Sequence, residues 1–311
     1  MRAFALDAFG QPGSIHDVPE PEPAEGQVRV RVAAASLNPF DNAVLQGYLK
    51  DRMEHRFPLI PAGDFSGTVD ALGSGVRGLA VGDPVFGVTG KMFLGEGTLA
   101  EKTTASSGTV ARRPTSINNV DAAALPLAGV SALMCVEAAG PKPKDIVVVV
   151  GASGGIGSYT VQLAKARGAH VIGVTHTANI DYVKGLGADE VIDRTAGDVS
   201  EALKSKHGDG VAAIIDTASD AQSLAALSAV VRKGGTVISM KGAAAPEELA
   251  KRGLTGVNIQ TQVNPERLET LAKLSADGKL KAPRIHKFAL DQAGEAFKLL
   301  GHTDGKLVIT L

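Results

Sequence analysis

One stretch of the sequence, DIVVVVGASGGIGSYTVQLAKARGAHVIGV at residues 145–174, constrains the fold more than any other. The β-branched run from Ile146 to Val150 is typical of a parallel strand that is buried on both faces. The glycine-rich segment 151–157 permits a sharp turn and a close approach of the backbone. A helix over about Ser158–Arg167 and a second strand over His170–Val174 complete the pattern. This order predicts a βαβ unit of a doubly wound parallel sheet.

The start of that predicted helix is a candidate site for an anion, because it presents unpaired N–H groups and the positive end of the helix dipole. In βαβ units the usual anion is a dinucleotide pyrophosphate. The spacing G-x-x-G-G-x-G differs from G-x-G-x-x-G, so a turn with only a packing role is the alternative, and the flanking strand and helix favour nucleotide binding. We expect Ser153, Gly154, Gly155 and Ile156 to contact the pyrophosphate.

The residues after the second strand bear on the choice of dinucleotide. An NAD site usually carries Asp or Glu there, but this chain has Thr175, His176 and Thr177, and no acid precedes Asp181. Hydroxyls and an imidazole can hydrogen-bond a 2′-phosphate, and Arg194, after the predicted third strand, can supply a cation at the same sheet edge. The sequence therefore predicts NADPH rather than NADH. An ordinary solvated surface is the alternative for His176 and Arg194.

More contacts with the coenzyme are expected where the later strands end, because ligands bind at the carboxyl edge of a parallel sheet. The residues that follow the predicted fourth and fifth strands should flank the nicotinamide ribose; they are Thr217, Ala218, Met240, Lys241 and Gly242.

Composition limits the other possible functions. The 311 residues are enough for two domains, and a net charge of −1 gives no electrostatic basis for binding nucleic acid or an anionic membrane. No apolar span of about 18 residues and no signal-peptide pattern occurs, so we expect a cytoplasmic protein. Cys135 is the only cysteine, and the seven histidines lack H-x-x-x-H spacing. Neither a disulfide nor a protein zinc site is therefore predicted.

The chain changes pattern along its length. Residues 1 to about 115 read as short strands separated by Gly and Pro turns, which predicts a small barrel. In that part Val28, Val30 and Val32 alternate with arginines, as in a half-buried strand. An alanine-rich helical stretch over Asp121–Ala139 leads into the parallel sheet. The predicted elements that follow the βαβ unit are helix Ile180–Leu186, strand Glu190–Asp193, helix Val199–Lys206, strand Val211–Thr217, helix Gln222–Arg232, strand Thr236–Met240, helix Pro265–Ala276, helix Asp291–Leu300 and strand Lys306–Leu311.

Together these segments resemble the medium-chain dehydrogenase/reductase superfamily over nearly the whole chain, and most closely its zinc-independent quinone oxidoreductase branch. The matching segments are ASLNPFDNAVLQG (35–47), FPLIPAGDFSGTV (57–69), VGDPVFG (81–87), AAALPLAGVSAL (122–133), VVVVGASGGIG (147–157), LGADEVID (186–193) and GKLVIT (305–310). The resemblance implies an α/β protein with a GroES-like β-barrel domain at 1–120, completed by 265–311. It also implies a Rossmann dinucleotide-binding domain at 121–264 and NADPH as the hydride donor.

The chain departs from the zinc-dependent relatives at the metal-ligand positions. A cysteine of those relatives is replaced by Asn38, their His–Glu pair is replaced by Gly63–Asp64, and their four-cysteine lobe is missing. Activation of an alcohol by a Lewis-acidic metal is therefore not expected. Many quinone reductases also carry Lys or Arg near the position of Ala178, and this chain leaves the grip on the 2′-phosphate to Arg194 and its neighbours.

The resemblance further implies that hydride passes to a quinone or an α,β-unsaturated carbonyl compound in the cleft between the domains. Reduction places negative charge on a carbonyl oxygen, so a hydrogen-bond donor there lowers the barrier. Asn38 is the candidate catalytic donor; alternatively, Asn38 and Asp41 only cap the turn around Pro39. Val130 falls where relatives contact the nicotinamide end. Lys306 either reaches the coenzyme or is an exposed lysine on an edge strand.

Two other functions stay open at this stage. The chain could reduce or oxidise another carbonyl substrate, or it could be a regulatory or structural protein that binds NADPH without turnover, since fold does not fix function. A small-molecule substrate is the expected partner, and a homodimer is possible because relatives commonly pair through a sheet edge.

Overall fold

The computed structural model describes residues 1–311, which form two compact units. The first comprises Met1–Ala128 and Val263–Leu311, and the second, Gly129–Gln262, is inserted between these two parts. The first junction thus lies beyond the expected boundary at residue 120. The reason is that the helix at 119–123 packs on the first unit: Ala123 and Ala124 share a buried cluster with Ala34 and Val308.

The elements follow the chain in two patterns, because strands predominate up to residue 112 and alternate with helices over most of the remainder. The strands are β1 (Arg2–Ala5), β2 (Ser14–Asp17), β3 (Gln27–Ser36), β4 (His55–Ile60), β5 (Asp64–Leu72), β6 (Pro84–Val88), β7 (Leu94–Glu96), β8 (Lys102–Ser106), β9 (Val110–Arg112), β10 (Ile146–Val150), β11 (His170–Thr175), β12 (Glu190–Asp193), β13 (Val211–Asp216), β14 (Val231–Ser239), β15 (Thr255–Asn258), β16 (Ile285–Ala289) and β17 (Lys306–Thr310). The helices are α1 (Pro39–Leu45), α2 (Asn119–Ala123), α3 (Pro126–Ala139), α4 (Gly155–Ala166), α5 (Ile180–Gly185), α6 (Val199–Lys206), α7 (Ala221–Leu227), α8 (Pro246–Lys251), α9 (Pro265–Ala276) and α10 (Ala293–Leu299).

The first unit is built on a seven-stranded sheet with the order β16-β17-β3-β5-β6-β9, in which β8 also pairs with β3. The predicted alternation on β3 is confirmed, since Val28, Val30 and Val32 are buried while Arg31 is exposed. Strand β17 pairs with β16 on one side and antiparallel with β3 on the other. The last strand of the chain therefore lies beside one of the first, as the resemblance implies.

The second unit is a six-stranded parallel sheet with the order β12-β11-β10-β13-β14-β15. Its central strand β10 is fully buried at Val147, Val148 and Val149, as expected for a strand covered on both faces. The strand order reverses between β10 and β13, which is the usual ligand-binding position of such sheets. The prediction of an α/β chain with a doubly wound parallel sheet is confirmed.

Several predicted elements have the observed bounds, namely β10, β12, α6 and α9. Helix α4 begins earlier than expected, at Gly155 rather than Ser158, so the last residues of the glycine-rich segment are helical. The stretch 121–139 is two helices rather than one: α2 ends at Ala123 and α3 begins at Pro126. Proline cannot continue a helix but suits its first turn, which explains the break.

Two later helices are shorter than predicted. The helix expected over 222–232 ends at Leu227 and passes through a 3₁₀ turn, Ser228–Val230. Val231 then already pairs with Val211, so β14 starts five residues before the predicted Thr236. The helix expected over 291–300 begins as a 3₁₀ turn and becomes α10 only at Ala293.

No helix of residues 1–311 combines the length and apolar character that crossing a bilayer requires.

Candidate functional site

The turn after β10 brings backbone segments so close together that side chains would not fit. Gly151 has a φ of +77°, in the left-handed region that favours glycine. A Cβ atom on Gly157 would lie 2.1 Å from the carbonyl oxygen of Gly151, and one on Gly173 would lie 2.4 Å from Cγ1 of Val183. Gly151 and Gly157 therefore allow α4 to start directly against the turn at the carboxyl edge of the sheet, and Gly173 allows α5 to pack closely on β11.

The N-terminus of α4 offers backbone N–H groups to an anion. The N–H of Gly154 donates to the carbonyl oxygen of Gly151 over 3.0 Å and so closes the turn itself. Gly155 and Ile156 are the first helical residues, and their N–H groups have no acceptor within the helix. These two residues, both predicted to contact a pyrophosphate, thus have N–H groups that an anion could bind. The glycine cradle and the free N–H groups fit a dinucleotide phosphate.

Ser153, which the sequence also predicts to contact the pyrophosphate, is the centre of a small polar network. Its side chain is almost buried, and its Oγ accepts from the hydroxyl of Thr175 over 2.9 Å and from the amide of Asn179 over 3.4 Å. Thr175 is itself buried, so it supports the turn, and only His176 and Thr177 of the predicted trio are exposed. The sequence analysis did not include Asn179. Its amide side chain, a few residues after β11, could have indicated a polar contact at this edge.

The ends of β11 and β12 lie side by side, and the residues that follow them meet. The N–H of Arg194 donates to the carbonyl oxygen of Thr175 over 2.9 Å. Its guanidinium donates through Nε to Nε2 of His176 over 3.1 Å, and both side chains are exposed. The structure thus brings together the cation and the imidazole that the sequence predicts to lie at the same sheet edge. A guanidinium and an imidazole side by side are suitable donors for a phosphate.

Asp193 adds a carboxylate to this corner, which sequence reasoning left out. It accepts from the hydroxyls of Thr177 and Thr195, and from the N–H of Thr195 over 2.8 Å. These hydrogen bonds, the one from Thr177 first, hold the pKa of Asp193 below its usual value. The hydroxyl of Thr177 is therefore already engaged, and a phosphate would have to replace the carboxylate as its acceptor. The overlooked signal was the position of Asp193, directly before Arg194.

Two more strand ends lie on the edge that carries the glycine turn. The hydroxyl of Thr217 donates to the carbonyl oxygen of Val150 over 2.8 Å, and the ammonium of Lys241 donates to that of Ala218 over 3.0 Å. Gly242 has a φ of +71° and turns the chain after β14. These contacts place the ends of β10, β13 and β14 together, where the sequence predicts the nicotinamide ribose.

The other residues predicted near the nicotinamide are less accessible. Met240 is half-buried, and its Sδ lies 3.3 Å from Sγ of Cys135. Burial raises the pKa of the Cys135 thiol to about 12, so this cysteine is a packing residue, as the sequence predicts. Val130, on α3, has no exposed surface, and a coenzyme could touch it only if neighbouring groups moved.

The first unit contains a second feature, a buried polar cluster formed by Asn38, Asp41, Asp64 and Lys306. Their exposed fractions are only 6%, 5%, 1% and 4%. Asn38 precedes α1, Asp64 is the first residue of β5, and Lys306 is the first residue of β17. Because β17, β3 and β5 are adjacent strands, these residues meet at one end of the sheet.

The side-chain amide of Asn38 is held at both ends. Its Nδ2 donates to Oδ2 of Asp64 over 2.9 Å, and its Oδ1 accepts from the ammonium of Lys306 over 2.6 Å. The ammonium also donates to the carbonyl oxygen of Leu37 over 2.8 Å and lies 3.8 Å from Oδ2 of Asp64. The N–H of Leu127 donates to the other oxygen of Asp64 over 3.2 Å. Asn38 is thus fixed between an anion and a cation.

Burial governs the ionisation of the cluster. It raises the pKa of Asp64 to about 6, against the lowering effect of the Lys306 ammonium and the Asn38 amide. It raises the pKa of Asp41 to about 7, although the backbone N–H of Asn38 opposes the shift. It lowers the pKa of Lys306, against the attraction of both carboxylates. Above about pH 6 Asp64 is therefore ionised, and it faces the Nζ of Lys306, which donates to the oxygens of Leu37 and Asn38.

The structure contradicts the alternative interpretations of Lys306 and of the Asn38 side chain, and it leaves their predicted roles at the coenzyme and the substrate as predictions. Lys306 is not an exposed edge-strand lysine, because β17 is paired on both sides and the side chain is buried. The side chain of Asn38 does not cap the turn at Pro39; Asp41 does so by accepting from the N–H of Asn38 over 2.7 Å. An available signal was the acid three residues after Asn38, which is the spacing of a reciprocal cap.

Among residues 1–311, no three or more His, Cys, Asp or Glu side chains lie together so that they could hold a metal ion.

Comparison with known proteins identifies both units. Residues 24–115 match the family model described as the alcohol dehydrogenase GroES-like domain, and residues 155–261 match that described as zinc-binding dehydrogenase. These ranges fall within the first and second units respectively. The predicted combination of a GroES-like domain and a parallel-sheet dinucleotide-binding domain is confirmed.

Individual relatives extend over nearly the whole chain. The chloroplastic quinone oxidoreductase of Triphysaria versicolor is 33% identical over 99% of this chain and 98% of its own length. The chloroplastic NADPH-dependent alkenal/one oxidoreductase of Arabidopsis thaliana is 32% identical over 93% of this chain and 73% of its own length. Among solved structures, the quinone oxidoreductase of Coxiella burnetii superposes with a TM-score of 0.88 at 31% identity, over 100% of this chain and 99% of that chain.

Proposed function

Because this chain belongs to the medium-chain dehydrogenase/reductase superfamily, in its quinone-oxidoreductase-like branch, we propose that it is an NADPH-dependent reductase of quinones or α,β-unsaturated carbonyl compounds. The relatives support the general activity: the protein is an oxidoreductase that uses a nicotinamide coenzyme and acts on small molecules. The choice of NADPH and the class of electron acceptor are the proposed parts.

The pair of Arg194 and His176 is the observation that carries the choice of NADPH. A guanidinium donor on an imidazole, exposed at the end of β11 and β12, suits a phosphate at the position of the adenine ribose. The ionised carboxylate of Asp193 opposes a phosphate there by like-charge repulsion, and its two oxygens are occupied by Thr177 and Thr195, so they are not free to accept from a ribose 2′-OH. The outward-facing guanidinium of Arg194 offsets that charge, and we propose that it favours NADPH over NADH.

Three groups of this chain would hold the coenzyme. The N–H groups of Gly155 and Ile156 would bind the pyrophosphate, and Arg194 would bind the 2′-phosphate. When bound, NADPH supplies the hydride. The role of the residues is to orient the coenzyme and to stabilise charge, and no metal ion is part of the proposal.

The class of acceptor is supported by the relatives and by the chemistry of Asn38. Reduction of a quinone or an enone develops negative charge on a carbonyl oxygen, and an amide N–H is a suitable donor for that charge. Asn38 is a neutral donor held next to the ammonium of Lys306, so it can give a hydrogen bond without giving up a proton. We therefore propose Asn38 as the residue that binds the carbonyl oxygen.

The decisive experiment measures oxidation of NADPH and of NADH by the purified protein with a panel of para-quinones, short-chain alkenals and saturated aldehydes. We expect turnover with the first two classes, with a higher kcat/KM for NADPH. Turnover with saturated carbonyls alone would reject the acceptor class. Tight binding of NADPH in calorimetry, without turnover of any acceptor, would instead favour a protein that binds the coenzyme for a regulatory or structural role.

A further inference from the structure

We infer that Lys306 and Asp64 are positioning residues, which together hold the side-chain amide of Asn38 in one orientation and leave one of its N–H groups for the substrate's carbonyl oxygen. The part about the substrate rests on the proposed function. The part about the amide does not, and it can be tested in the absence of turnover.

The orientation of the Asn38 amide follows from the chemistry of its two neighbours. An ammonium can only donate a hydrogen bond, and an ionised carboxylate can only accept one. The end of the amide at 2.6 Å from Lys306 must therefore be the carbonyl oxygen, and the end at 2.9 Å from Asp64 must be the NH₂ group. Rotation of the amide by half a turn would set two donors against each other at Lys306 and two acceptors against each other at Asp64. The flipped state is thus strongly disfavoured.

This orientation accounts for only one of the two hydrogens on Nδ2. Asp64 accepts one of them, and the other has no acceptor in the structure. Asn38 is 6% exposed, so the remaining N–H is poorly hydrated and costly to leave unpaired. A carbonyl oxygen that reaches this group would satisfy it. Such a donor selects an oxygen with a high negative charge, as a carbonyl oxygen has during reduction.

Lys306 also strengthens the donor. Hydrogen bonds in a chain polarise one another, and a cation at the carbonyl end of an amide makes its N–H groups more positive. The ammonium is held in place by the carbonyl oxygen of Leu37 at 2.8 Å and by the Asp64 carboxylate at 3.8 Å. Asp64 is in turn fixed by the N–H of Leu127. The whole arrangement is therefore preorganised before a substrate arrives.

The test compares Lys306→Met, which keeps most of the side-chain volume but removes the cation, with Lys287→Met on the neighbouring strand β16, where the lysine is exposed. The first readout is the NMR signal of the Asn38 side-chain amide, which is assigned by its loss in Asn38→Asp. The second is kcat and KM for NADPH and for a quinone. Asp64→Asn serves as a second variant, because it removes the charged acceptor from the same amide.

We expect Lys306→Met to shift and broaden the Asn38 signal and to lower kcat about tenfold to a hundredfold, with less than about a twofold change in KM for NADPH. Lys287→Met should match the wild type in both readouts. An unchanged amide signal in folded Lys306→Met would overturn the inference, whatever happens to kcat. If Lys306→Met does not fold, the same criterion applies to Asp64→Asn. A wild-type protein without turnover would defeat the proposed function, while the amide signal would still decide the positioning roles.

Discussion

The backbone N–H of Asn38 donates to the carboxylate of Asp41 over 2.7 Å at the start of α1, and both residues are almost fully buried. Burial raises the pKa of Asp41 from its ordinary 3.8 to about 7, because the ionised carboxylate loses its hydration there. The folded protein thus holds this proton more tightly than the unfolded chain does. The stabilisation that results is complete below the unfolded pKa and is lost as the pH rises through about 7.

The stability of the Asp41→Asn variant, relative to that of the wild type, should therefore increase with rising pH. The amide oxygen of asparagine can still accept from the N–H of Asn38, but it cannot ionise. Relative to the wild type, its free energy of unfolding should increase between about pH 5 and pH 8, by roughly 2–4 kcal/mol, since each unit of pKa shift corresponds to about 1.4 kcal/mol. Urea unfolding at several pH values measures this difference. Asp291→Asn, at an exposed position, is the control, and a pH-independent difference for Asp41→Asn would contradict the raised pKa.

Asn38→Ala should lower kcat about a hundredfold, which is the usual effect of removing one donor to a developing oxyanion. Its KM for NADPH should change little, because the groups proposed to hold the coenzyme, on Gly155, Ile156 and Arg194, are unchanged. Steady-state kinetics with a quinone provides the measurement, and thermal unfolding shows whether the variant is folded. A folded Asn38→Ala protein with wild-type kcat would exclude Asn38 as the donor.

Arg194→Ala should weaken NADPH binding about tenfold to a hundredfold, because it removes a charge-assisted hydrogen bond of about 1.5–3 kcal/mol to the 2′-phosphate. NADH lacks that phosphate, and its Kd should change less than about twofold. Calorimetry with both coenzymes tests this difference, with the exposed Arg167→Ala as a matched control in the same unit. Equal weakening of NADPH and NADH would reject the assignment of Arg194.

Gly157→Ala should disrupt the start of α4, because the added Cβ atom would lie 2.1 Å from a backbone oxygen that cannot move independently. We expect a loss of about 1–3 kcal/mol in stability and weaker binding of both coenzymes. The matched control is Gly185→Ala, in helix α5, where a Cβ atom meets nothing within 4 Å. That variant should be neutral or slightly stabilised. Equal behaviour of the two variants in unfolding and calorimetry would show that the close approach at Gly157 is unimportant.

Metal chelators should leave the reductase activity intact, since the described side chains offer no group of ligands for a metal ion and the proposed chemistry needs none. Dialysis against EDTA, followed by the quinone assay with and without added zinc, measures this. Activity that disappears with EDTA and returns with zinc would contradict the prediction.

Local patterns account for the parts of the fold that the sequence predicts well. The β-branched run of β10 and the alternating valines of β3 depend on neighbours along the chain, and so does the Asn264 cap of α9, whose side chain accepts from the N–H of Arg267 over 2.9 Å. The bounds that differ reflect tertiary pairing. Val231 leaves the helical pattern because it pairs with Val211 across the sheet, and no local preference encodes that partner.

The two candidate sites differ in the same way. The sequence predicts that Arg194 and His176 lie at the same sheet edge, because parallel strands end together, whereas their direct hydrogen bond is seen only in the structure. The hydrogen bond between Lys306 and Asn38 joins residues that are 268 positions apart, and no local sequence pattern predicts it. A lysine before an apolar strand ordinarily lies at the surface, so its burial becomes evident only from the position of β17 between β16 and β3.

The position of β17 after the inserted parallel-sheet unit has a consequence for biosynthesis. A ribosome delivers the residues of the parallel sheet as one uninterrupted block, well before it delivers Lys306. Domains generally fold as units while the chain emerges. The nascent protein can thus acquire its capacity to recognise a dinucleotide first, whereas the side chain of Asn38 gains its Lys306 partner only after that unit has been synthesised.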